Sequence, residues 1–553
     1  LLYSIKMSIP NAIRAGLWPV GVFLLSSFLY IVSFPPWNIA EGAYLFAIPF
    51  LYWIFYKPGF KLYLITSLIT GCVTWVIMIW WLRHITYIGT VSLAVYLGLF
   101  NVTWLVAAWW TLPRIIDRPF WYRLSGLLGL SSLWILLEYL RTFLITGFPW
   151  MPLALSQWNR PALLQIISYT GFYGISFILI FFNLGIALYL RHLILKSHRG
   201  RAWYERICPE FYLSVALLLT AASGVIWTGT FTQDRVDSFR AAAIQPYIKP
   251  SIKWISEQAH AILDILEKNT LFLKPLDPDL ILWPESVTPW PVVGDSNMRL
   301  WAQDLAQSFG VPILMGNMAK EDNKIWYNTV NAVDPRFGLV FPYYAKRKLV
   351  PFGEYAPFHQ IFPFIDKFVP LEADFKPGKL PELIPLNIAG QIYRVGPLIC
   401  YEDIFPGLAR DLTLEGADFL FVATNNAWYG EESGAYQHAA HSVLRAVETR
   451  RPVLRCGNAG WSGWIDEYGN VREVLLDHKG SIYFRGGAVM EISRDRQWTQ
   501  RLSVYMQYGD WFVGLCLFSL VWGIITLRFL HVDMVPDAPE PDIRTRRQRI
   551  FGN

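Results

Sequence analysis

A chain of 553 residues that is 54% hydrophobic and only 16% charged is too long for one ordinary domain and too apolar for a soluble enzyme. Its net charge of +6 is spent largely on a few loops and a C-terminal tail, with no basic face of the kind nucleic acid needs, so nucleic-acid binding is excluded and a membrane protein is the reading to test.

Crossing a hydrocarbon core of about 30 Å takes about 20 apolar residues. Seven such stretches precede residue 232, at about 15–33, 42–56, 62–82, 87–112, 124–146, 166–190 and 211–230, and an eighth lies near 508–528. The stretch at 42–56 is short by this measure. Short cytoplasmic loops carry the excess Lys and Arg. One set of connections holds Lys6, Arg14, Lys57, Lys61, Arg114, Arg118, Arg123 and the rich run from Arg191 to Arg206, and the tail adds Arg544, Arg546, Arg547 and Arg549. The opposite set has Arg83 and Arg160 as its main exceptions. Both termini are therefore expected in the cytoplasm, with the segment of about 275 residues between the last two spans outside. The first span reads as uncleaved, since no convincing small-residue cleavage site follows it. The predicted division is a bundle of about seven helices over 1–232, an outer domain over 236–495, a linker and last span over 496–530, and a basic cytoplasmic tail over 531–553.

In the outer segment the texture changes to short β-rich runs alternating with amphipathic stretches. Strands are predicted at 239–245, 280–285, 311–317, 326–333, 394–400, 418–424 and 452–456, with helices in WISEQAHAILDILEKN and HSVLRAVETRR. That alternation indicates an α/β domain whose sheet is covered by helices. Of the five cysteines, Cys72 and Cys516 fall in spans and Cys208 in a cytoplasmic loop, which leaves Cys400 and Cys456 outside, where two thiols have the option of pairing. An odd total without regular spacing argues against a disulfide framework. No Cys or His cluster has metal-ligand spacing, and neither metal nor cofactor is expected.

Three strand ends carry conspicuous polar residues: Glu285 closes LILWPE, Lys346 lies just beyond a β run in YYAKRKLVPFGEY, and Cys400 closes GPLIC. A carboxylate that accepts the thiol proton and a cation that favours the thiolate are what a cysteine nucleophile requires. The ammonium, with the backbone N–H of Tyr401, would also suit the oxyanion of a tetrahedral intermediate. Spacing alone leaves the bland alternative open, in which the two charges are surface groups and Cys400 is a packed small hydrophobe.

The pattern of Glu in LWPES, Lys in YAKRKLVPFGEY and Cys in LICYED resembles the Glu-Lys-Cys triad of the nitrilase superfamily. More narrowly, KLVPFGEY together with a preceding bundle and a terminal span is similar to the apolipoprotein N-acyltransferase family, bacterial inner-membrane enzymes that add the third acyl chain to lipoproteins. TGFPW (146–150), Trp254, TNNAWYG (424–430) and YGDW (508–511) extend the similarity over nearly the whole chain. The resemblance implies a polytopic α-helical bundle of about eight spans with an extracytoplasmic αββα sandwich. It implies Glu285 as general base, Cys400 as nucleophile and Lys346 as oxyanion stabiliser, supported by Glu354, Tyr401 and Glu402, with Trp254 on a loop near the substrate. It further implies a ping-pong reaction in which an acyl ester of a phospholipid, typically phosphatidylethanolamine, leaves a thioester on Cys400 and the α-amine of a diacylglyceryl-cysteine on an apolipoprotein takes the acyl group. One departure is GNAGWSGWIDEYG after the strand PVLRC, where a run richer in Thr and Ile is expected; it leaves fine substrate preference open.

A lipid substrate gives the bundle its reason, because both substrates are anchored in the bilayer and held near the site. Trp283, Trp290, Trp428 and Trp461 suit either an apolar lid or core packing. Glu138 and Arg141, three apart on the fifth span, are expected to form a structural ion pair, and His84 in a short outer loop to be incidental. A monomer is the default expectation. The rival readings are a membrane-tethered amidase with water as acceptor, and a non-catalytic transporter or receptor.

Overall fold

A computed structural model describes residues 11–195, 208–253, 255–322, 325–355 and 375–532. Trp254 and the greater part of the basic tail lie outside them.

The N-terminal part is helical: α1 (Asn11–Val32), α2 (Ile48–Ile54), α3 (Phe60–Met78), α4 (Tyr87–Ile115), α5 (Phe120–Leu140), α6 (Tyr173–Leu195) and α7 (Pro209–Ala222). Six apolar helices among the described residues are long enough to cross a membrane, namely α3, α4, α5, Tyr173–Leu193, Pro209–Trp227 and, near the C-terminus, Trp511–Arg528. Two shorter apolar helices, Leu17–Val32 and Ala40–Ile54, stand beside them. The expected span at 42–56 is thus a broken one: a 3₁₀ turn over Ala40–Tyr44 is followed by only seven residues of α2, which rise about 10 Å. A count of apolar residues registers composition and misses the interruption before Pro49. The backbone freed by the break is satisfied inside the bundle by Asn183 of α6, whose Oδ1 accepts from Ala47 N (3.1 Å) and whose Nδ2 donates to Ala43 O (2.9 Å).

Glu138 and Arg141 do not pair. Glu138 Oε1 accepts from Trp134 Nε1 (2.9 Å) and from Leu153 N (2.7 Å), while the Arg141 guanidinium lies over the Trp75 ring at 5.4 Å. The carboxylate oxygen is occupied by the loop that returns beneath it, which an i,i+3 spacing cannot reveal. The two basic exceptions in the outer loops are each matched by a carboxylate, Arg83 by Glu432 and Arg160 by Glu41 (2.6 Å). His84 shares Glu432 with Arg83 at 2.9 Å, a contact that joins its loop to the sheet-bearing half.

The rest is two six-stranded sheets packed face to face. The first takes the order β12-β1-β2-β3-β4-β5 and the second β11-β10-β9-β8-β7-β6, where β1 is Arg235–Gln245, β2 Leu280–Trp283, β3 Ile313–Glu321, β4 Ile325–Asp334, β5 Gly338–Ala345, β6 Ile384–Ile388, β7 Gln391–Ile399, β8 Phe419–Thr424, β9 Val453–Gly457, β10 Gly463–Ile465, β11 Val471–Val474 and β12 Gly486–Asp495. Each sheet has a parallel centre, β1-β2-β3 or β7-β8-β9, with antiparallel flanks. Parallel neighbours require crossovers. These are α8 (Ala259–Phe272) and α9 (Ser296–Phe309) for the first sheet, and α10 (Pro406–Leu414) and α11 (Ser433–Thr449) for the second.

Alternation along the strands divides the core. Ala242, Ile244, Ile281 and Trp283 pack in one cluster with Ile262 and Leu266 of α8 and Ala302 of α9, whereas Ala241, Ala243, Leu280 and Leu282 belong to the cluster between the sheets. There Phe239 meets Tyr393 and Phe419 of the second sheet at 5.2 and 5.6 Å between ring centres. Trp283 and Trp461 are core residues, while Trp290 and Trp428 are exposed. Cys456 of β9 directs its thiol at Ile244 O and Leu282 O (3.3 and 3.4 Å), and all five cysteines are free, so the optional pairing with Cys400 does not occur.

The two halves share one continuous core, joined through α11. Gln437 of α11 carries much of the join. Its Oε1 accepts from Trp81 Nε1 (2.9 Å) and Trp150 Nε1 (3.0 Å), and its Nε2 donates to Met78 O (2.9 Å). After the sheets the chain re-enters an apolar helix, α12 (Trp511–Val532), which packs on α5.

Candidate active site

The triad residues come from three places that only the fold unites. Glu285 follows β2, Lys346 follows β5, and Cys400 follows β7. Lys346 Nζ lies 3.3 Å from Glu285 Oε1 and 2.9 Å from Glu354 Oε1. Asn328, from the middle of β4, donates through Nδ2 to both carboxylates, at 2.9 Å to Glu285 and 2.8 Å to Glu354. Glu354 Oε2 accepts from Val350 N (2.8 Å), which pins the VPFGE turn to the site. Glu285, Lys346 and Cys400 are all buried. Gly316 of β3 lies against the backbone of Pro284 and Glu285, where a Cβ would have no room.

Cys400 has a φ of +54°, a left-handed conformation that a non-glycine residue keeps only when its surroundings enforce it. The enforcement is visible. Glu402 turns back beneath it, accepting from Ile399 N (2.8 Å), Tyr344 Oη (2.9 Å), Arg347 N (2.6 Å) and Lys348 N (2.9 Å). One buried carboxylate therefore fixes the Cys400 turn to the lysine loop. Burial pushes the Glu402 carboxyl up to about 7, against these donors. Tyr401 donates to Leu349 O (2.6 Å), and its ring sits 5.7 Å from the Lys346 ammonium.

A second layer supports the turn from below. His438 of α11 bonds through Nε2 to Cys400 O (3.1 Å) and Asp403 Oδ1 (2.9 Å), and through Nδ1 to the Asn426 amide (2.9 Å). Asp403 Oδ2 accepts from Ser442 Oγ (2.6 Å) and Arg455 Nη1 (2.5 Å). All of these groups are buried. Burial opposes the charge on Asp403, but His438 and Arg455 outweigh it and hold the carboxyl well below its usual range. Above His438 lies the Trp150 ring, at 5.7 Å, which brings the end of TGFPW to the site.

The electrostatics assign protons. Burial and the Glu285 carboxylate push the Cys400 thiol up to about 12, with Lys346 opposing them. Burial would also raise Glu285, but Lys346 and the Asn328 amide outweigh it and hold Glu285 below the ordinary value. Lys346 loses by burial and gains more from Glu354 and Glu285, so it stays charged. At neutral pH the resting site is thus a thiol beside a carboxylate, suited to proton transfer on attack and not to a preformed thiolate. Alkylation of Cys400 by iodoacetamide, followed by peptide mapping, is accordingly expected to rise about tenfold per pH unit from about pH 7 to 9, where an ordinary thiol with a pKa of about 8.5 bends over. A plateau below that range would contradict the protonated resting state.

The structure brings together Glu285, Lys346, Glu354, Tyr401, Glu402 and Cys400, while Trp254 lies outside the described residues. Sequence reasoning missed Asn328, Asp403, His438 and Arg455. Asn328 stood inside a run read only as a strand, and Asp403 inside CYED, beside residues that drew all the notice.

Residues 240–491 match the carbon-nitrogen hydrolase family, and residues 26–185 match the apolipoprotein N-acyltransferase N-terminal domain. An apolipoprotein N-acyltransferase of Geobacter metallireducens is 30% identical over 503 residues, covering 89% of this chain and 92% of that protein. Another, from Pseudomonas aeruginosa, is 30% identical and covers 78% of this chain and 76% of its own length. Among solved structures, an amidase from Nesterenkonia sp. aligns with 51% of this chain and 98% of its own at 18% identity, with a TM-score of 0.37. Matched in both its helical and its sheet-bearing half, and along nearly the whole of the Geobacter relative, the chain belongs to the apolipoprotein N-acyltransferase family.

Proposed function

We propose that this protein transfers an acyl chain from a phospholipid, phosphatidylethanolamine in the first instance, to the N-terminal amine of a diacylglyceryl-cysteine on an apolipoprotein. Cys400 is the nucleophile, Glu285 the general base, and Lys346 with the Tyr401 N–H the oxyanion donors. In the first half Glu285 takes the Sγ proton as sulfur attacks the ester carbonyl. Collapse of the tetrahedral intermediate breaks the ester C–O bond, and Glu285 returns the proton to the departing lysophospholipid oxygen. In the second half the acceptor amine attacks the thioester, Glu285 takes a proton from nitrogen, and the C–S bond breaks to restore the thiol. Water must be excluded in between, or the thioester hydrolyses. Glu354 and Asn328 position Lys346 and Glu285, Glu402 and Tyr401 position the nucleophile turn, and Trp254 is assigned to the substrate loop.

The observation that carries this reading over a tethered amidase is the seating of the nucleophile's support, α11, against loops of the bundle, which has no purpose for a soluble amide. The reading includes placement in the bacterial inner membrane, with both termini cytoplasmic and the sheet domain periplasmic, the domain limits given above, and a monomer. Its test is intact-mass analysis of the full chain after incubation with phosphatidylethanolamine. One acyl mass is expected, removed by hydroxylamine, absent in Cys400→Ala, and passed as an amide to a diacylglyceryl-cysteine peptide. Release of free fatty acid with no transfer to the peptide would select the hydrolase instead.

A further inference from the structure

Resting on that reading, we propose that Lys348 is the phosphate subsite for the acyl donor: its ammonium binds the phosphodiester of the glycerophospholipid whose acyl ester is presented to Cys400. Lys348 stands two residues beyond Lys346, and its own backbone N–H is held by Glu402, the carboxylate that also holds Ile399 next to the nucleophile. Its side chain is half-buried, yet among the described residues the ammonium has no ion-pair or hydrogen-bond partner and rests only over the Phe405 ring, at 5.1 Å. The neighbouring cation, Arg347, is instead paired through Nη2 with Asp411 (2.9 Å). Withdrawal from water also draws the Lys348 amine below the ordinary lysine range, and an arriving anion would reverse that shift.

The position relative to the triad and the membrane is fixed from two sides. A chain of ring contacts leads inward: Phe405 lies 5.4 Å from the Tyr401 ring, and Tyr401 5.7 Å from the Lys346 ammonium. On the other side Phe405 lies beside Gly147, where an added Cβ would meet its ring, in the loop that leaves the membrane helix α5 through exposed Phe143, Leu144 and Ile145. The helix that follows Phe405, α10, meets the approach to the last membrane helix, where Arg410 Nε donates to Met506 O (3.1 Å). Lys348 therefore sits where two membrane helices emerge, the depth at which lipid phosphates lie. A glycerophospholipid joins its acyl ester and its phosphate through one glycerol, so an ester at Cys400 brings its phosphate close by. The acceptor, a diacylglyceryl thioether, has no phosphate. An unpaired half-buried cation at this depth thus distinguishes donor from acceptor.

In a ping-pong reaction the two halves are measured separately, so the test is specific. Adduct formation on Cys400 is followed for the full chain in detergent micelles with phosphatidylethanolamine and, separately, with a p-nitrophenyl acyl ester, which carries no phosphate. Transfer from the preformed adduct to a diacylglyceryl-cysteine peptide is the third rate. For Lys348→Met the phospholipid rate is expected to fall about 10- to 100-fold, the loss typical of one charge-assisted contact, with the ester and peptide rates held within about twofold. Lys348→Arg is expected to keep most of the phospholipid rate. Equal losses with both donors would make Lys348 a structural residue, and an unchanged phospholipid rate in the Met variant would remove it from donor binding; either overturns the proposal. Absence of any adduct in the wild-type chain would instead bring down the acyl-transfer reading itself, and this subsite with it.

Discussion

Glu285→Gln is expected to slow acyl-adduct formation on Cys400 by about 10²- to 10⁴-fold, the contribution of a positioned general base, while the protein stays folded. The substitution is nearly isosteric. The amide oxygen still accepts from Asn328 Nδ2, and Lys346 keeps its closer partner Glu354 at 2.9 Å, so the groups that Glu285 serves keep their partners. What disappears is the acceptor for the thiol proton. The same change removes the carboxylate that helps push the Cys400 thiol up to about 12, so the thiol becomes more acidic in the variant. Alkylation by iodoacetamide, which needs no proton acceptor, should then increase at fixed pH while acyl transfer collapses. Movement of the two reactions in opposite directions identifies a proton-transfer role; a joint collapse would mark a folding defect and take Glu285 out of the chemistry.

Asp403→Asn is expected to be the most damaging single substitution for stability, at about 3–5 kcal/mol. Asp403 is the counter-charge of Arg455, and both are fully buried. Two other nitrogens of that guanidinium, Nε and Nη2, already lack partners, so the carboxylate is most of what compensates the charge. Asparagine preserves the shape and leaves Arg455 a buried cation without an anion. His438 loses its carboxylate as well, and with it part of the hold on Cys400 O. The measurement is residual adduct-forming activity after heating for a fixed time, since large proteins commonly unfold irreversibly and their stability is then read as a rate. The carboxyl is held below its usual range, so this contribution is complete above about pH 4, near the unfolded value, and is lost as the pH falls from there through the depressed folded value, below which wild type and variant should converge. Equal heat resistance at neutral pH would mean that Arg455 finds another partner.

Much of the outer half was legible because its signals are local. The apolar runs LILW and GPLI each end in a change of character, and the structure ends β2 and β7 at Trp283 and Ile399. Glu285 and Cys400 come just after those runs, which is why they stood out as candidates. Less visible were β5 and β6. β5 carries Pro342 and an exposed centre, and β6 is five residues long with alternating exposure. The supporting groups escaped because each is defined by a partner distant in the chain: His438 is 35 residues from Asp403, and Gln437 is 356 from Trp81. The broken helix near residue 48 and the absent Glu138–Arg141 pair share that cause, since Asn183 and Leu153 N decide them.

Helix α11 has almost no side facing water. On one side Ser442 and His438 serve the Cys400 turn through Asp403; on the other Gln437 receives two indoles of the bundle, His441 faces Met151 N at 3.4 Å, and Glu448 accepts from Phe172 N at 3.2 Å. The two halves are consequently not interchangeable parts. A chimera pairing this catalytic half with the helices of a relative would inherit its nitrilase-like fold and still misplace its cysteine, unless Trp81 and Trp150 were grafted along with it.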